Sequence, residues 1–413
     1  MERLRFSKAG KLAYHGELKN GLRAIFYPMG TEVKEAVISL YIGVGGYNRT
    51  YTIGGTNMPS GTPGMLLEAL KYKHSKKADP LFTDKDVHLE TRVEESYMTI
   101  EAYLPKEKAL GYIDALLSLG DEFNLTNEEV EKLKPDYLKK IKEEDEKVYN
   151  RLRSDLYFSS PMKGNPYGNE KELKAIHFST LKKFLSFAFS KASLSLIVIG
   201  DLVPEKVEEA ASKHVIPDFD EKKQPVEVKP FKENYARVVQ PYGKSRNKGE
   251  MVVAIKMPPR KDIYTKFQEE MFTCYELVGE VLFGKAGKKN ASIRSHILSL
   301  GEGGFRQGGE DAFYYQVIET GNPQEMESGI KALLSDPKIF SYFEFKALKK
   351  EYFENIRLNV YNKDVKAYMH RASEALANDF LDEALTEGAL SQKKDTMQSF
   401  LNNLAGFAKV FIE

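Results

Sequence analysis

The stretch MLLEALKYK, residues 65–73, decides the fold, because the chain repeats its pattern as LVGEVLFGK at residues 277–285. Its apolar residues recur at helical spacing, which predicts a helix with one buried face. A single carboxylate, Glu68, stands among them, and the repeat places Glu280 opposite it. A carboxylate kept at the same place in two packed helices is the first candidate functional feature.

Two further pairs of segments repeat in the same order. IDALLS at 113–118 matches IKALLS at 330–335, and LKPDYLKKIK at 133–142 matches LKKEYFENIR at 348–357. Amphipathic helices rich in Leu, Lys and Glu resemble one another by chance, so one match alone would carry no weight. The nearly constant offset of all three pairs indicates a tandem duplication.

The duplication predicts two similar domains, residues 1–214 and 235–413. The segment 215–234 between them holds three prolines and a charge cluster. Proline interrupts helices and central strands, so we expect this segment to be an exposed linker.

Each half is predicted to mix strands and helices without strict alternation. In the first half Asn20-Gly21 is a hairpin signal, and Thr126 with Glu129 is a capping box that begins a long helix. Strands are predicted at 18–27, 36–46, 87–104 (a pair), 193–201 and 408–413, and helices at 64–73, 106–119 and 203–214. This order favours an α+β fold, with helices packed on a largely antiparallel sheet in each domain.

Composition excludes several classes of protein. The formal net charge of +1 argues against a nucleic-acid surface, and the single cysteine, Cys274, excludes an internal disulfide and a multi-thiolate metal site. No run of about 18 apolar residues occurs, so we expect no membrane span. The first residues lack an apolar core segment, so we expect no signal peptide and a cytoplasmic protein.

The arrangement resembles the pitrilysin/insulinase-like zinc metallopeptidases, the family that includes the mitochondrial processing peptidases. The resemblance covers essentially the whole chain, and it is strongest at residues 20–28, 36–46, 61–73, 165–176 and 189–209. It implies tandem homologous α+β domains, which agrees with the duplication. It also implies a zinc site in the first half, built on the motif H-x-x-E-H and a glutamate on a later helix.

Carried over onto this chain, that site lacks its ligands. The two histidine positions fall on Met65 and Ala69, and only the general-base glutamate is kept, as Glu68. The downstream glutamate falls on Lys140, with Glu143 or Glu144 as an alternative match. Because two imidazoles one helical turn apart form the core of such a site, we expect no zinc and no other cofactor, and no catalytic residue.

The other candidates are weaker. A relocated metal site would need histidines close together, whereas His74 and the pair His88 and Glu90 are more typical of hydrogen-bonded side chains. Active relatives also hold substrate with an Arg and a Tyr seven residues apart. Here Arg294 is the candidate for that clamp, but Gly301 stands where the tyrosine belongs.

The resemblance therefore predicts a non-catalytic homologue. We expect it to be the companion subunit of an active zinc peptidase, helping to form a peptide-binding chamber as a heterodimer, or to self-associate. Two alternatives stay open: an active zinc metalloendopeptidase with relocated ligands, and a stand-alone structural or peptide-binding protein.

Overall fold

The computed structural model describes the chain in segments. The described residues are 1–46, 51–77, 79–157, 161–219, 226–227, 250–257, 273–308, 311–361, 364–377, 381–404 and 408–411. Most of the predicted linker at 215–234 lies outside these residues, so the domain boundaries stay a prediction.

The first half is built on a seven-stranded sheet in the order β1-β2-β3-β9-β4-β8-β7. Its strands are β1 (Glu2–Phe6), β2 (Lys11–Glu17), β3 (Arg23–Pro28), β4 (Glu35–Ile42), β7 (His88–Val93), β8 (Met98–Pro105) and β9 (Leu194–Gly200). All neighbours pair antiparallel except β3 and β9, which are parallel. β9 is buried along its whole length, as the apolar run at 193–201 predicts.

The predicted hairpin joins β2 to β3. Gly21 has φ +80°, a conformation that glycine adopts without steric cost, and its N–H donates to the carbonyl of Leu18 at 2.8 Å. A small separate sheet in the order β10-β5-β6 is formed by β5 (Tyr51–Ile53), β6 (Thr56–Met58) and β10 (Val226–Glu227).

Within the described residues of the first half, eight α-helices accompany the sheet. They are α1 (Thr62–Lys76), α2 (Pro80–Thr83), α3 (Lys106–Leu117), α4 (Asn127–Asp145), α5 (Val148–Leu156), α6 (Glu170–Lys174), α7 (Phe178–Ala188) and α8 (Pro204–Ala211). The predicted capping box begins α4, because Thr126 accepts from the N–H of Glu129 while the Glu129 side chain accepts from the N–H of Thr126. α1 packs against α4 and α7 on one face of the sheet.

The second half repeats this plan on a smaller antiparallel sheet, in the order β12-β13-β11-β14. The strands are β11 (Glu250–Lys256), β12 (Ile297–Gly308), β13 (Asp311–Thr320) and β14 (Ala408–Phe411). The helices are α9 (Val278–Phe283), α10 (Ala291–Ser295), α11 (Pro323–Ser335), α12 (Tyr342–Ile356), α13 (Val365–Leu376), α14 (Asp382–Ser391) and α15 (Lys394–Leu404). These two helix-and-sheet units confirm the predicted α+β fold.

The two halves share one hydrophobic core. The face of the first sheet opposite α1 is covered by α13 of the second half, which contacts β4 and β9. The rings of Tyr27 on β3 and Tyr368 on α13 lie 5.2 Å apart, and both side chains are fully buried. The first sheet is therefore enclosed between a helical layer of its own half and a helix of the other.

Polar contacts also cross between the halves. Lys366 lies 2.5 Å from the Glu90 carboxylate, Arg306 lies 3.4 Å from Glu94, and Arg92 hydrogen-bonds His370. Across the described residues, no helix is both long enough and apolar enough to span a bilayer.

Candidate functional site

Helix α1 carries the residues that the resemblance aligns with the zinc motif. Pro63 stands in its first turn, where a missing N–H costs nothing, and the helix extends beyond the predicted 64–73 at both ends, from Thr62 to Lys76. Met65 and Ala69, at the two histidine positions, are completely buried in the apolar layer between α1 and the sheet. These positions contribute packing and offer no metal ligand.

Glu68 points the other way, into a cavity, and is held by two lysines. Lys140 of α4 places its Nζ 3.0 Å from Glu68 Oε1, and Lys71 places its Nζ 3.6 Å from the same oxygen. Lys140 also lies over the ring of Tyr167, with its Nζ 4.9 Å from the centroid. Lys140, to which the resemblance assigns the third ligand position, is thus an ion-pair partner of Glu68.

The helix pair is fixed by a close contact beside this site. Tyr137 of α4 is buried, and its hydroxyl lies 3.0 Å from the carbonyl of Tyr167 and 3.2 Å from that of Gly61. Gly64 allows this approach, since a Cβ there would lie 2.1 Å from the hydroxyl oxygen of Tyr137. Any larger residue at position 64 would push the two helices apart.

The cavity that Glu68 faces, here called the α1 cavity, has a volume of about 450 Å³. Its walls include Glu68, Lys71, Tyr72, Ser75, Leu89 and Lys140. Leu89 belongs to β7, which is an edge strand: among the described strands it pairs only with β8. The cavity therefore lies beside the edge of the sheet. Sequence reasoning found the helix but did not find this edge.

The residues present do not fit a zinc ion. Neither Met65 nor Ala69 offers an imidazole, and the ammonium of Lys140 would repel a divalent cation. Of the alternative matches, Glu144 is buried and accepts hydrogen bonds from Lys147 at 2.8 Å and Tyr149 at 3.1 Å, while Glu143 is exposed. Within the described residues, no group of three or more His, Cys, Asp or Glu side chains is arranged to hold a metal ion.

The histidines weighed as relocated ligands have ordinary partners. His74 is buried, with Nδ1 2.8 Å from Asp79 Oδ2 and Nε2 3.0 Å from the carbonyl oxygen of Leu119. His88 lies 3.0 Å from Glu90 on an exposed strand face, and His370 lies 3.2 Å from Glu374 one helical turn away. They behave as hydrogen-bonded histidines.

Arg294 lies in the second half on α10, and its side chain reaches back to the loop that follows α9. Its guanidinium donates to the carbonyls of Gly284 at 2.6 Å and Gly287 at 2.7 Å, and to the side chain of Asn290. These bonds give Arg294 a role in holding that loop, and its assignment as a substrate clamp stays a prediction.

The second half contains a counterpart that sequence reasoning missed, here called the α9 cavity. It has a volume of about 540 Å³, and its walls include Glu280, Phe283, Leu300, Glu351, Tyr352 and Asn355. Asn355 Nδ2 lies 3.0 Å from Glu280 Oε1, the same distance as from Lys140 Nζ to Glu68 Oε1. The repeat aligns Asn355 with Lys140, so the glutamate-to-helix contact itself is duplicated.

The two aligned glutamates, Glu68 and Glu280, differ in the charge of their partners. No ion pair to Glu280 or Glu351 occurs in the part of the chain that the structure describes, and burial, with Glu351 nearby, raises the pKa of Glu280. In the α1 cavity two ammonium groups surround one carboxylate. This difference between the two glutamates could have been found from the sequence, because the repeat aligns Asn355 with Lys140.

The chain resembles known proteins in its three-dimensional structure. No protein-family model matches the chain, and no curated protein matches it. Solved structures do match along almost its whole length. An M16-like peptidase from Alicyclobacillus acidocaldarius superposes with a TM-score of 0.76 at 13% identity, with 97% of each chain covered.

Two further solved structures share this fold. A peptidase M16 inactive domain from Pseudomonas fluorescens has a TM-score of 0.61 at 10% identity, with 97% of both chains covered. The periplasmic protease PqqL from Escherichia coli has a TM-score of 0.65 at 13% identity, and the match covers all of this chain but 48% of that one. The resemblance found in the sequence is thus confirmed as a resemblance of fold: this chain has the fold of the M16-like peptidases.

Proposed function

We propose that this protein is a non-catalytic peptide-binding member of the M16-like fold, and that it acts as the companion subunit of an active zinc peptidase. The observation that carries the proposal is the state of the motif glutamate. Glu68 is neutralised by Lys140 and Lys71, while Met65 and Ala69 are buried. A glutamate activates water in such enzymes only beside a metal that lowers the pKa of that water, and here the ligands for the metal are missing.

The surface that would hold a peptide is nevertheless kept. Among the strands that the structure describes, β7 has a neighbour on one side only, and a peptide in extended conformation can pair with such an edge. Leu89 faces the α1 cavity, and Thr91, two residues on and so on the same face, has a buried hydroxyl without a hydrogen-bond partner among the described residues. Strand pairing would supply affinity, and the cavity would receive one side chain.

The companion role is supported by comparison. The matched part of PqqL is 48% of that chain, and the matched domain from Pseudomonas fluorescens is described as inactive. A partner that is a homologous peptidase with an intact H-x-x-E-H motif would supply the zinc, and this chain would supply a wall of the chamber. We propose a cytoplasmic location for the pair.

The first experiment measures peptide binding by the isolated chain, using fluorescence anisotropy and short labelled peptides of β-forming sequence. Ser75 is exposed on α1 and lines the cavity, so Ser75→Trp should fill the cavity without a change of charge and weaken binding. Ser295→Trp is the matched control, because Ser295 is also exposed on a helix and bonds the carbonyl three residues earlier, as Ser75 does. Equal binding by all three proteins would contradict a peptide site here.

The second experiment tests catalysis. Elemental analysis should find no stoichiometric zinc in the purified chain. In a mixture with an active homologue, wild type and Glu68→Gln should raise peptide hydrolysis equally, because the zinc of the partner performs the chemistry. Loss of hydrolysis in Glu68→Gln with the complex still assembled would show an active site around α1, and the companion role would be wrong.

A further inference from the structure

The α1 cavity carries more positive than negative charge at its base. Lys71 and Lys140 share the single carboxylate of Glu68, at 3.6 and 3.0 Å. The other acidic residue of the wall, Asp136, is 83% exposed and is paired with Lys139 at 3.2 Å, so its charge is directed to solvent. One ammonium group in the cavity therefore lacks a full counter-charge.

Of these two lysines, Lys71 is the one whose N–H donors are available to an added acceptor. Its distance of 3.6 Å from Glu68 is longer than a hydrogen bond, and an ammonium group has three N–H donors to satisfy. Only 34% of the side chain is exposed, and burial lowers the pKa of Lys71, as does the neighbouring charge of Lys140. A partly dehydrated cation of this kind gains from an added anionic acceptor.

The fold does not require these lysines. In the second half the same helix pair is packed with Phe283 at the position of Lys71 and Asn355 at the position of Lys140. The helices are joined there by the Asn355–Glu280 hydrogen bond, and Glu351 of α12 accepts from the backbone N–H groups of Lys285 and Ala286 just after α9. Lysines at these two helix positions are thus a feature of the α1 cavity, and the packing of the helix pair does not depend on them.

We propose that the α1 cavity selects a carboxylate on the bound peptide, with Lys71 as the principal donor and Lys140 as the second. This inference rests on the proposed function, since it names the class of peptide held beside β7. The carboxylate would be an Asp or Glu side chain or the carboxyl terminus of the peptide. Leu89 and Tyr72 would contact the aliphatic part of that residue.

The test compares peptides that differ only in this charge. Peptides of one sequence carry Glu, Gln or Lys at one central position, and each is made with a free or an amidated carboxyl terminus. Wild type should bind the Glu peptide about tenfold more tightly than the Gln peptide, as expected for a charge-assisted hydrogen bond in a partly buried site, and the Lys peptide least. A preference that follows the free terminus and not the side chain would assign the carboxyl terminus as the ligand.

Variants identify the donor. Lys71→Met should abolish the preference for Glu, Lys71→Arg should keep it, and Lys140→Asn, the residue found in the second half, should reduce it. Lys142→Met is the matched control, since Lys142 lies exposed on the same helix as Lys140 and outside the cavity. Far-UV circular dichroism and urea unfolding confirm that each variant is folded.

The outcomes separate the two proposals. If no peptide binds, or Ser75→Trp binds as wild type does, the proposed function fails. If peptides bind and Ser75→Trp weakens them, but Glu and Gln peptides bind equally or Lys71→Met keeps the preference, only the carboxylate selection is overturned.

Discussion

The repeat aligns Glu68 with Glu280, so the same substitution, Glu to Gln, can be made at both positions. We expect Glu68→Gln and Glu280→Gln to change the stability of the protein in opposite directions. Glu68 has Lys140 and Lys71 as cationic partners, whereas Glu280 has the amide of Asn355. Replacing Glu68 leaves two ammonium groups facing each other. Replacing Glu280 keeps the hydrogen bond, because the Gln carbonyl can accept from Asn355.

The magnitude at Glu68 follows from the geometry. Unit charges 3.0 Å apart attract by about 5 kcal/mol at an effective dielectric constant of about 20. Both side chains are about three-quarters buried, so desolvation and lost side-chain freedom offset most of that attraction. Measured effects are about 0–1 kcal/mol for exposed pairs and about 3–5 kcal/mol when a buried pair is broken, so we expect Glu68→Gln to cost about 1–2 kcal/mol.

At Glu280 the sign reverses. Burial, with Glu351 nearby, raises the pKa of Glu280 above its ordinary value. A carboxyl group whose pKa is higher in the folded than in the unfolded chain costs stability once the pH rises through both values. Glu280→Gln removes that cost at neutral pH, and we expect it to stabilise the protein by about 0.5–1 kcal/mol.

Urea unfolding at pH 7 measures both effects, followed by circular dichroism and by tyrosine fluorescence, since the chain has no tryptophan. A double-mutant cycle of Glu68→Gln with Lys140→Met should give a coupling of about 1 kcal/mol, which salt should reduce. If the two glutamine variants shift stability in the same direction, or if the coupling is zero, Glu68 is not held as an ion pair and the case for its structural role is lost.

Three other predictions follow from single features. Gly64→Ala should destabilise the protein by about 1–3 kcal/mol in urea unfolding, because its Cβ would overlap the hydroxyl of Tyr137, whereas Gly111→Ala, with open space around it, should be neutral or stabilising. Burial would raise the pKa of Glu374, but the cationic neighbours of this residue outweigh burial and hold its pKa at about 2. The ionised Glu374 therefore contributes to stability above pH ~4.5, and this contribution is lost as the pH falls toward 2. Glu374→Gln should therefore flatten the loss of thermal stability on acidification, and an unchanged slope would contradict this. Limited proteolysis should cut first within 215–234 and leave two fragments that elute together in gel filtration; early separation of the fragments would contradict the shared core.

The local elements could be predicted because local chemistry determines them. The capping box at Thr126, the turn at Gly21 and the uniformly apolar β9 each depend on residues adjacent in the chain, and each was found as expected. The assignment of the two zinc-ligand positions to Met65 and Ala69 comes from the resemblance and stays a prediction.

The contacts between distant residues could not be predicted in the same way. The alignment placed Lys140 at a ligand position, but it did not show that the ammonium would lie 3.0 Å from Glu68. It also paired Asn355 with Lys140 without showing that each half would enclose a cavity. The amphipathic pattern of α13 indicates a buried face, and it does not say that the face covers the sheet of the other half.

The covering of the first sheet by α13 has a consequence for synthesis on the ribosome. β9, the last strand of that sheet, ends at Gly200, and α13 begins at Val365. At about 5–20 residues per second, the ribosome needs on the order of ten seconds or more to make the intervening chain. Throughout that time an apolar sheet face that includes Ile25, Tyr27 and Ile197 has no cover. The nascent first half should therefore be a client of ribosome-associated chaperones, and a chain truncated before α13 should aggregate as it is released.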